Sequence, residues 1–165
     1  EYLHAQRYTS PARTVLLAIG RRGTPRKLGV PGEELPKVVY HLIDPEQYAG
    51  QRVVVVGGGD SALESAAMLA EGRAASVVLS YRGDAFGRAK ARNRTRVMEA
   101  ERTGRLRVLL KSRVRRIDAR SLELDVDGVS QTLDNDAVIV NAGGILPDEF
   151  LRQAGIAVET KWGTA

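Results

Sequence analysis

The chain has 165 residues, 43% of them hydrophobic and 27% charged, which is typical of a globular protein with one core and excludes a disordered or fibrous chain. Its net charge of +5 is spread over several segments with few aromatic residues, which argues against nucleic-acid binding and suits an anionic small ligand. Cysteine is absent, which excludes disulfides, thiolate metal sites and a dithiol redox centre on this chain. No apolar run reaches the ~20 residues of a membrane span, and no signal peptide opens the chain. We therefore expect a cytoplasmic protein without nucleic-acid or membrane partners.

The first half of the chain alternates between apolar runs and glycine-rich turns. Residues 14–20 predict a buried strand, and a loop rich in glycine and proline follows it. Residues 38–43 predict a short strand or turn, and residues 44–48 a single helical turn. The four valines at 53–56 predict a central strand of a parallel sheet, since such strands are buried on both faces.

A strand-helix-strand unit is predicted next. Apolar residues at helical spacing predict a helix over residues 61–70, ended by Gly72, and residues 75–80 predict the second strand. A basic helix is expected over residues 88–102. Beyond it the period changes to two, and Asp127-Gly128 is a typical hairpin turn. The remaining predicted elements are short strands joined by tight turns at 107–111, 114–118, 122–126 and 129–133, a buried strand at 137–140 and a brief helix at 148–153.

The turn between the first strand and helix of this unit carries a phosphate-binding pattern. Gly57, Gly59 and Ala62 have the spacing G-x-G-x-x-A, directly after a strand and at the start of a helix. The first glycine allows the tight turn, the second lets the backbone approach a pyrophosphate, and the small third residue allows close packing. The helix amino terminus adds free amides and a partial positive charge.

The residues of this turn and of the first helical turn after it are the candidates for binding the phosphates of the cofactor. We assign Gly57, Gly58, Gly59, Asp60, Ser61, Ala62 and Glu64 to cofactor binding. Asp60 and Ser61 could instead be helix caps, and Glu64 could simply favour the helix dipole. The sequence thus predicts a Rossmann-like three-layer α/β dinucleotide-binding domain with a parallel sheet and an antiparallel β-meander crossover.

The end of the second strand indicates which dinucleotide binds. An NAD-specific unit carries an acidic residue there, whereas this strand continues into Tyr81 and Arg82 without a carboxylate. Arg82 and Arg88 could bind the additional 2′-phosphate of NADP through charge-assisted hydrogen bonds. The alternative is that the arginines from 88 onward form an ordinary solvated basic surface. This chemistry favours NADPH over NADH, and His4, His41 and Trp162 show no pattern of a metal or catalytic site.

These motifs together resemble the thioredoxin reductase-like flavoenzymes, over most of the chain. The resemblance rests on the segments TVLLAIG, GVPGEE, VVVVGGGDSALESA, YRGDAFGRAKA and VIVNAGGILPDEF. In that family an NADPH domain is inserted into an FAD domain, and each crossing carries a strand ending in a motif like A-T-G. By the resemblance, residues 18–20 are the first crossing, and Ala142, Gly143 and Gly144 are the return crossing at the cofactor.

The family's second-strand motif, His-Arg-Arg followed by a further Arg, binds the 2′-phosphate. Tyr81, Arg82 and Arg88 correspond to it, with Gly83 in place of the second arginine and Gly87 as a one-residue insertion. The resemblance therefore implies that these three residues bind NADPH.

Two departures narrow the resemblance. The C-x-x-C pair of thioredoxin reductases proper is missing, so the chain is more similar to the cysteine-free branches, the ferredoxin-NADP reductases and the bacillithiol disulfide reductase-like proteins. The FAD fingerprint and the Gly-Asp flavin motif are missing as well. The resemblance then implies an NAD(P)H-binding domain over residues 21–141, between FAD-domain stubs at 1–20 and 142–165. The chain would be a piece of a longer polypeptide, whose missing FAD domain is its partner.

Three functions stay open at this point. The first is the NADPH-binding domain of an FAD-dependent oxidoreductase, which delivers hydride from NADPH to FAD in a full-length protein that would be a homodimer. The second is a non-catalytic nucleotide-binding regulatory module on the same fold. The third is a basic nucleic-acid-binding domain, which a salt-dependent DNA affinity would reveal.

Overall fold

Strands and helices alternate through the part of the chain that the computed structural model describes, which is Thr14 and residues 25–145, 148–153 and 155–157. The strands are β1 (Val38–Val39), β2 (Arg52–Val56), β3 (Ser76–Ser80), β4 (Arg107–Leu109), β5 (Ser112–Ile117), β6 (Ser121–Val126), β7 (Val129–Asp134) and β8 (Ala137–Val140). The helices are α1 (Asp60–Glu71), α2 (Ala91–Arg102) and α3 (Asp148–Gln153), with a 3-10 helix over Pro45–Tyr48. The predicted strand at 14–20 and the crossing at 18–20 fall, apart from Thr14, outside the described residues, as do His4 and Trp162.

A parallel sheet of five strands forms the central layer, in the order β1-β8-β2-β3-β4. β2 pairs with β3 on one side, Val56 opposite Ser80, and with β8 on the other, Val56 opposite Val140. Because all pairings are parallel, the carboxyl ends of β2, β3 and β8 lie along one edge of the sheet.

The valines of β2 explain why this strand is apolar on both faces. Val53 and Val55 pack with α1 and α2 in one core cluster, whereas Val54 and Val56 pack with Ile117 and other residues of the antiparallel strands in a second cluster. A strand points successive side chains to opposite faces, so four successive buried valines require a layer on each side. The result is three layers: helices, parallel sheet and meander.

The meander consists of three strands, β5-β6-β7, and not of the four that the period-two pattern predicts. β4 instead continues the parallel sheet beside β3, with Leu79 opposite Val108. Lys111, with φ +49°, then turns the chain toward the second sheet. A two-residue period does not distinguish these outcomes, because it describes a strand and not the strand's neighbour. The hairpin predicted at Asp127-Gly128 is confirmed, with both residues at positive φ.

A charge cluster ties the start of β8 to the start of β2. The Asp136 carboxylate accepts from the Arg52 amide at 2.9 Å and from its guanidinium at 2.8 and 3.0 Å. Asp134 lies 3.1 Å from the same guanidinium. The Arg52 guanidinium and amide hold the pKa of the Asp136 carboxyl well below its ordinary value.

We predict that the stabilisation from Asp136 disappears at low pH. A carboxyl whose folded-state pKa is lowered stabilises the protein above its unfolded-state pKa of ~3.9 and loses this contribution as pH falls toward the folded-state pKa. In urea unfolding, Asp136→Asn should therefore be less stable than the unmodified chain at neutral pH, and the difference should shrink below about pH 4. The control is Glu34→Gln, which neutralises an exposed carboxylate without an ion pair among the described residues. A difference for Asp136→Asn that persists to the acid end would contradict this prediction.

Candidate functional site

Three chain segments leave the same edge of the parallel sheet. The glycine turn at residues 57–59 follows β2, Tyr81 and Arg82 follow β3, and residues 141–144 follow β8. The chain runs from β2 to one side of the sheet, while β8 and β1 lie on the other side. This is a topological switch point, where open α/β sheets bind ligands in the crevice beyond their strands.

Gly57 makes the turn itself tight. Its φ is +149°, and a Cβ there would lie 2.4 Å from the carbonyl oxygen of Asn141 and 2.9 Å from the Cβ of Ala62. Ala62 is fully buried, with 0% of its surface exposed. The first glycine and the alanine of the G-x-G-x-x-A pattern therefore face each other, and both need to be small for α1 to pack against β2.

Gly58 is required by a different neighbour, the ring of Tyr81. A Cβ at position 58 would lie 2.1 Å from Tyr81 Cε2, and a Cβ at Gly83 would lie 2.6 Å from Tyr81 Cε1. Phe86 stacks on the same ring, with centroids 5.4 Å apart and planes at 21°. The glycine at 83, where the family motif has its second arginine, thus leaves space for the Tyr81 ring.

Gly59 has no such neighbour, since no described atom outside residues 58–60 lies within 4 Å of the position that a Cβ would occupy. Gly59 is the N-cap of α1, with φ −96° and ψ 179°, and no side chain caps this helix end. Asp60 and Ser61 are therefore not the helix caps that the sequence allowed. Among the described residues, no carbonyl accepts from the amides of residues 58–61, so these donors point from the helix end toward the crevice.

The carboxylates of Asp60 and Glu64 face α2. Asp60 Oδ1 accepts from the Lys90 amide and from Asn93 Nδ2, both at 2.8 Å, and Glu64 Oε1 also accepts from Asn93 Nδ2 at 2.8 Å. The pKa of the Asp60 carboxyl lies below its ordinary value. The main cause is the hydrogen bond from the Lys90 amide, and the second is the hydrogen bond from Asn93. Asp60, the first residue of α1, thus uses its carboxylate to tie α1 to α2.

Arg82 and Arg88 lie in an irregular segment between β3 and α2. Helix α2 begins at Ala91, three residues later than the basic run predicts, because Lys90 is extended and its amide donates to Asp60. Both arginines are exposed, and neither forms an ion pair with a carboxylate of the described residues. The structure therefore leaves their guanidinium groups available to an anion.

The segment after β8 meets the loop that enters the domain. The carbonyl of Gly143, which has φ +91°, accepts from the Arg26 amide at 2.9 Å, and Gly144 pairs with Pro25 as an antiparallel bridge. Ala142 packs against the core cluster on the meander side of the sheet. This segment lies at the carboxyl edge of the sheet, next to the strand that carries the glycine turn.

Asn141 is a site residue that the sequence analysis did not single out. Its Nδ2 donates to the Tyr40 carbonyl at 3.4 Å, and its Oδ1 is inaccessible and accepts from no described group. A buried acceptor without a partner is uncommon in proteins and often marks a functional site. The available signal was its position after the last buried strand, where polar residues of α/β sheets approach ligands.

The candidate site consists of backbone donors, two guanidinium groups without a carboxylate partner among the described residues, and aromatic support. Residues able to hold a metal ion do not gather in groups of three or more in the described part of the chain. No helix in that part has the length and apolar character of a membrane span.

Comparison with known proteins assigns the chain to a family. The model of the pyridine nucleotide-disulphide oxidoreductases matches residues 2–164. A ferredoxin-NADP reductase of Ignicoccus hospitalis is 35% identical over 156 residues, which are 90% of this chain and 49% of that protein. The bacilliredoxin reductase Bdr of Bacillus subtilis is 30% identical over 159 residues, 94% of this chain and 48% of that protein.

The fold agrees with solved structures of the same group. The bacillithiol disulfide reductase Bdr of Staphylococcus aureus superposes with a TM-score of 0.78 at 29% identity, covering 84% of this chain and 43% of that one. The chain spans about half the length of the curated relatives named above. The family match over nearly all residues, together with the glycine turn at the switch point, identifies this chain as a member of the pyridine nucleotide-disulphide oxidoreductase family.

Proposed function

We propose that this chain is the NADPH-binding domain of a flavoprotein oxidoreductase. The observation that carries the proposal is the amino end of α1, where Gly59 has open space in front of it and the amides of residues 58–61 have no acceptor among the described residues. A pyrophosphate fits this site, because it accepts several amide hydrogen bonds and interacts favourably with the positive end of the helix dipole.

Residues of three segments would hold the dinucleotide. Gly57, Gly58 and Gly59, with Ser61 and Ala62, would form the pyrophosphate cradle. Tyr81, Arg82 and Arg88 would lie on the side of β3 and hold the 2′-phosphate. The two exposed guanidinium groups, which have no carboxylate partner among the described residues, support NADPH over NADH. Ala142, Gly143 and Gly144 would approach the other nucleoside on the side of β8. Asp60 and Glu64 would support the cradle through Asn93, since their carboxylates are already engaged there.

The proposal for the whole protein adds a flavin. Reduced nicotinamide supplies a hydride, and FAD would accept it in the half of the relatives' length that this chain does not span. Residues 25–145 contain no second G-x-G-x-x-G or G-x-G-x-x-A pattern between a strand and a helix, so we place the FAD site outside them. The role of this chain is then to bind and orient NADPH, while the cofactors supply the chemistry.

Further parts of this proposal concern the whole protein. We propose that residues 21–141 form the NAD(P)H-binding domain, that residues 1–20 and 142–165 lead to the FAD domain, and that the parent is a cytoplasmic homodimer. The names of the relatives support a reductase, and they point to two different redox partners, ferredoxin in one case and bacilliredoxin in the other.

Calorimetric titration of the chain with NADPH and with NADH tests the proposal. We expect saturable binding of both, with NADPH bound more tightly, because only NADPH offers a phosphate to Arg82 and Arg88. Failure of both nucleotides to bind would refute the nucleotide site, and equal affinities would refute the assignment of the 2′-phosphate.

A second measurement distinguishes the enzyme from a regulatory module. The full-length protein should carry a yellow flavin whose visible absorption is lost when NADPH is added without oxygen. A full-length protein that binds NADPH but contains no flavin would favour the non-catalytic module instead.

A further inference from the structure

The two arginines proposed to bind the 2′-phosphate lie on a segment that has no helix or strand of its own. Residues 81–90 connect β3 to α2, and Arg82 and Arg88 are exposed within them. A flexible segment loses conformational entropy when it becomes ordered around a ligand, and this loss lowers the affinity. A segment that is already fixed before binding avoids the loss and binds the same ligand more tightly. What holds residues 81–90 in place therefore bears directly on the selectivity of the site.

The beginning of the segment is wedged against the glycine turn. The Tyr81 ring fits against Gly58 on one side and Gly83 on another, both at distances that leave no space for a Cβ. Phe86 stacks on this ring and closes the segment onto itself. The Tyr81 amide also donates to the Leu109 carbonyl at 2.9 Å, which fixes the backbone beside β4.

The end of the segment is fastened to the same turn by a second contact. The Lys90 amide donates to Asp60 Oδ1 at 2.8 Å, and Asn93 Nδ2 donates to the same oxygen at 2.8 Å. Gly58 and Asp60 are two positions apart in the turn. Both ends of the segment that carries Arg82 and Arg88 are thus attached to the turn proposed to hold the pyrophosphate.

We infer that Phe86 and Asp60 are positioning residues that set the preference for a 2′-phosphorylated dinucleotide. Neither is proposed to contact the phosphate. Phe86 holds the Tyr81 ring against Gly58, Asp60 holds the Lys90 amide, and together they keep the two guanidinium groups at a constant distance from the pyrophosphate cradle. This inference rests on the proposed NADPH site and explains which contacts produce its preference for NADPH over NADH.

The test compares NADPH and NADH affinities of the 165-residue chain with those of three variants. Phe86→Leu removes the stacking but keeps an apolar side chain, and Asp60→Ala removes the acceptor of the Lys90 amide. Asp60→Asn keeps an acceptor oxygen at the same position without the charge. We expect Phe86→Leu and Asp60→Ala each to reduce the ratio of NADPH to NADH affinity by about tenfold, and Asp60→Asn to restore most of it.

The outcomes separate this inference from the proposed function. If the unmodified chain binds both nucleotides equally, the 2′-phosphate assignment is wrong. If it prefers NADPH and both folded variants keep this preference, or lose affinity for both nucleotides equally, the positioning role is wrong while the NADPH site stands. Circular dichroism and thermal unfolding establish that each variant is folded, and Phe86→Leu alone decides the question if Asp60→Ala does not fold.

Discussion

Replacing Arg82 with alanine is expected to abolish most of the preference of the chain for NADPH over NADH. Arg82 is exposed, follows β3 directly and has no ion pair among the described residues, so its guanidinium is free to bind a phosphate. Charge-assisted hydrogen bonds of this kind contribute about 1.5–3 kcal/mol, which corresponds to a loss of about ten- to hundredfold in NADPH affinity. NADH, which has no 2′-phosphate, should bind Arg82→Ala as it binds the unmodified chain.

The matched control is Arg73→Ala, which removes the same charge from an exposed position beyond the carboxyl end of α1. It should leave both affinities unchanged, apart from a small uniform effect of net charge that added salt screens. An equal loss of NADPH affinity in both variants would show that general attraction, and not a specific contact, accounts for the effect of Arg82.

Alanine at Gly59 should remove nucleotide binding without disturbing the fold. No described atom outside residues 58–60 lies within 4 Å of the added Cβ, and φ of −96° suits any residue, so the free energy of unfolding should change by less than about 1 kcal/mol. The methyl group would nevertheless keep the backbone of the turn from approaching the pyrophosphate closely. We expect the affinity for NADPH and for NADH to fall by at least about tenfold, together and equally, because the pyrophosphate is common to both.

Gly57→Ala provides the contrasting control in the same turn. Its Cβ would meet the Asn141 carbonyl at 2.4 Å in a backbone conformation that only glycine adopts easily, so stability should fall by about 2–3 kcal/mol. Urea unfolding and calorimetric titration of both variants check this pair. A Gly59→Ala variant that is stable and binds nucleotide normally would contradict the proposed cradle.

The sequence predicts the structure correctly where a short local pattern is compatible with only one structure. The four valines of β2 indicated burial on both faces, and the strand is covered by helices on one side and by the meander on the other. Gly57 and Ala62 were paired by their spacing alone, and the structure places them in contact. In both cases residues close in sequence determine the geometry, so a short window of sequence contains the information.

Prediction failed where distant residues determine the local structure. The basic run predicts that α2 starts at residue 88, but the Lys90 amide donates to Asp60, thirty positions earlier in the chain, and the helix begins after Lys90. The N-cap of α1 is Gly59, so Asp60 lies within the helix and its carboxylate accepts from α2 instead of capping α1. The period-two pattern also predicts β4 as part of the meander. β4 lies in the parallel sheet instead, because the neighbour of a strand depends on the path of the whole chain.

The sequence by itself determined the family, the parallel α/β architecture and the glycine turn, because these depend on patterns that lie within short stretches of the chain. Only the tertiary structure showed which neighbour each glycine of the turn has. Gly57 leaves space for the carbonyl of Asn141, just after β8, and Gly58 leaves space for the Tyr81 ring, whereas the Cβ position of Gly59 is open. The tertiary structure also brought the Asp60 carboxylate to the Lys90 amide and the Phe86 ring onto Tyr81. These roles depend on contacts between segments far apart in sequence, and such contacts exist only after the layers have packed together.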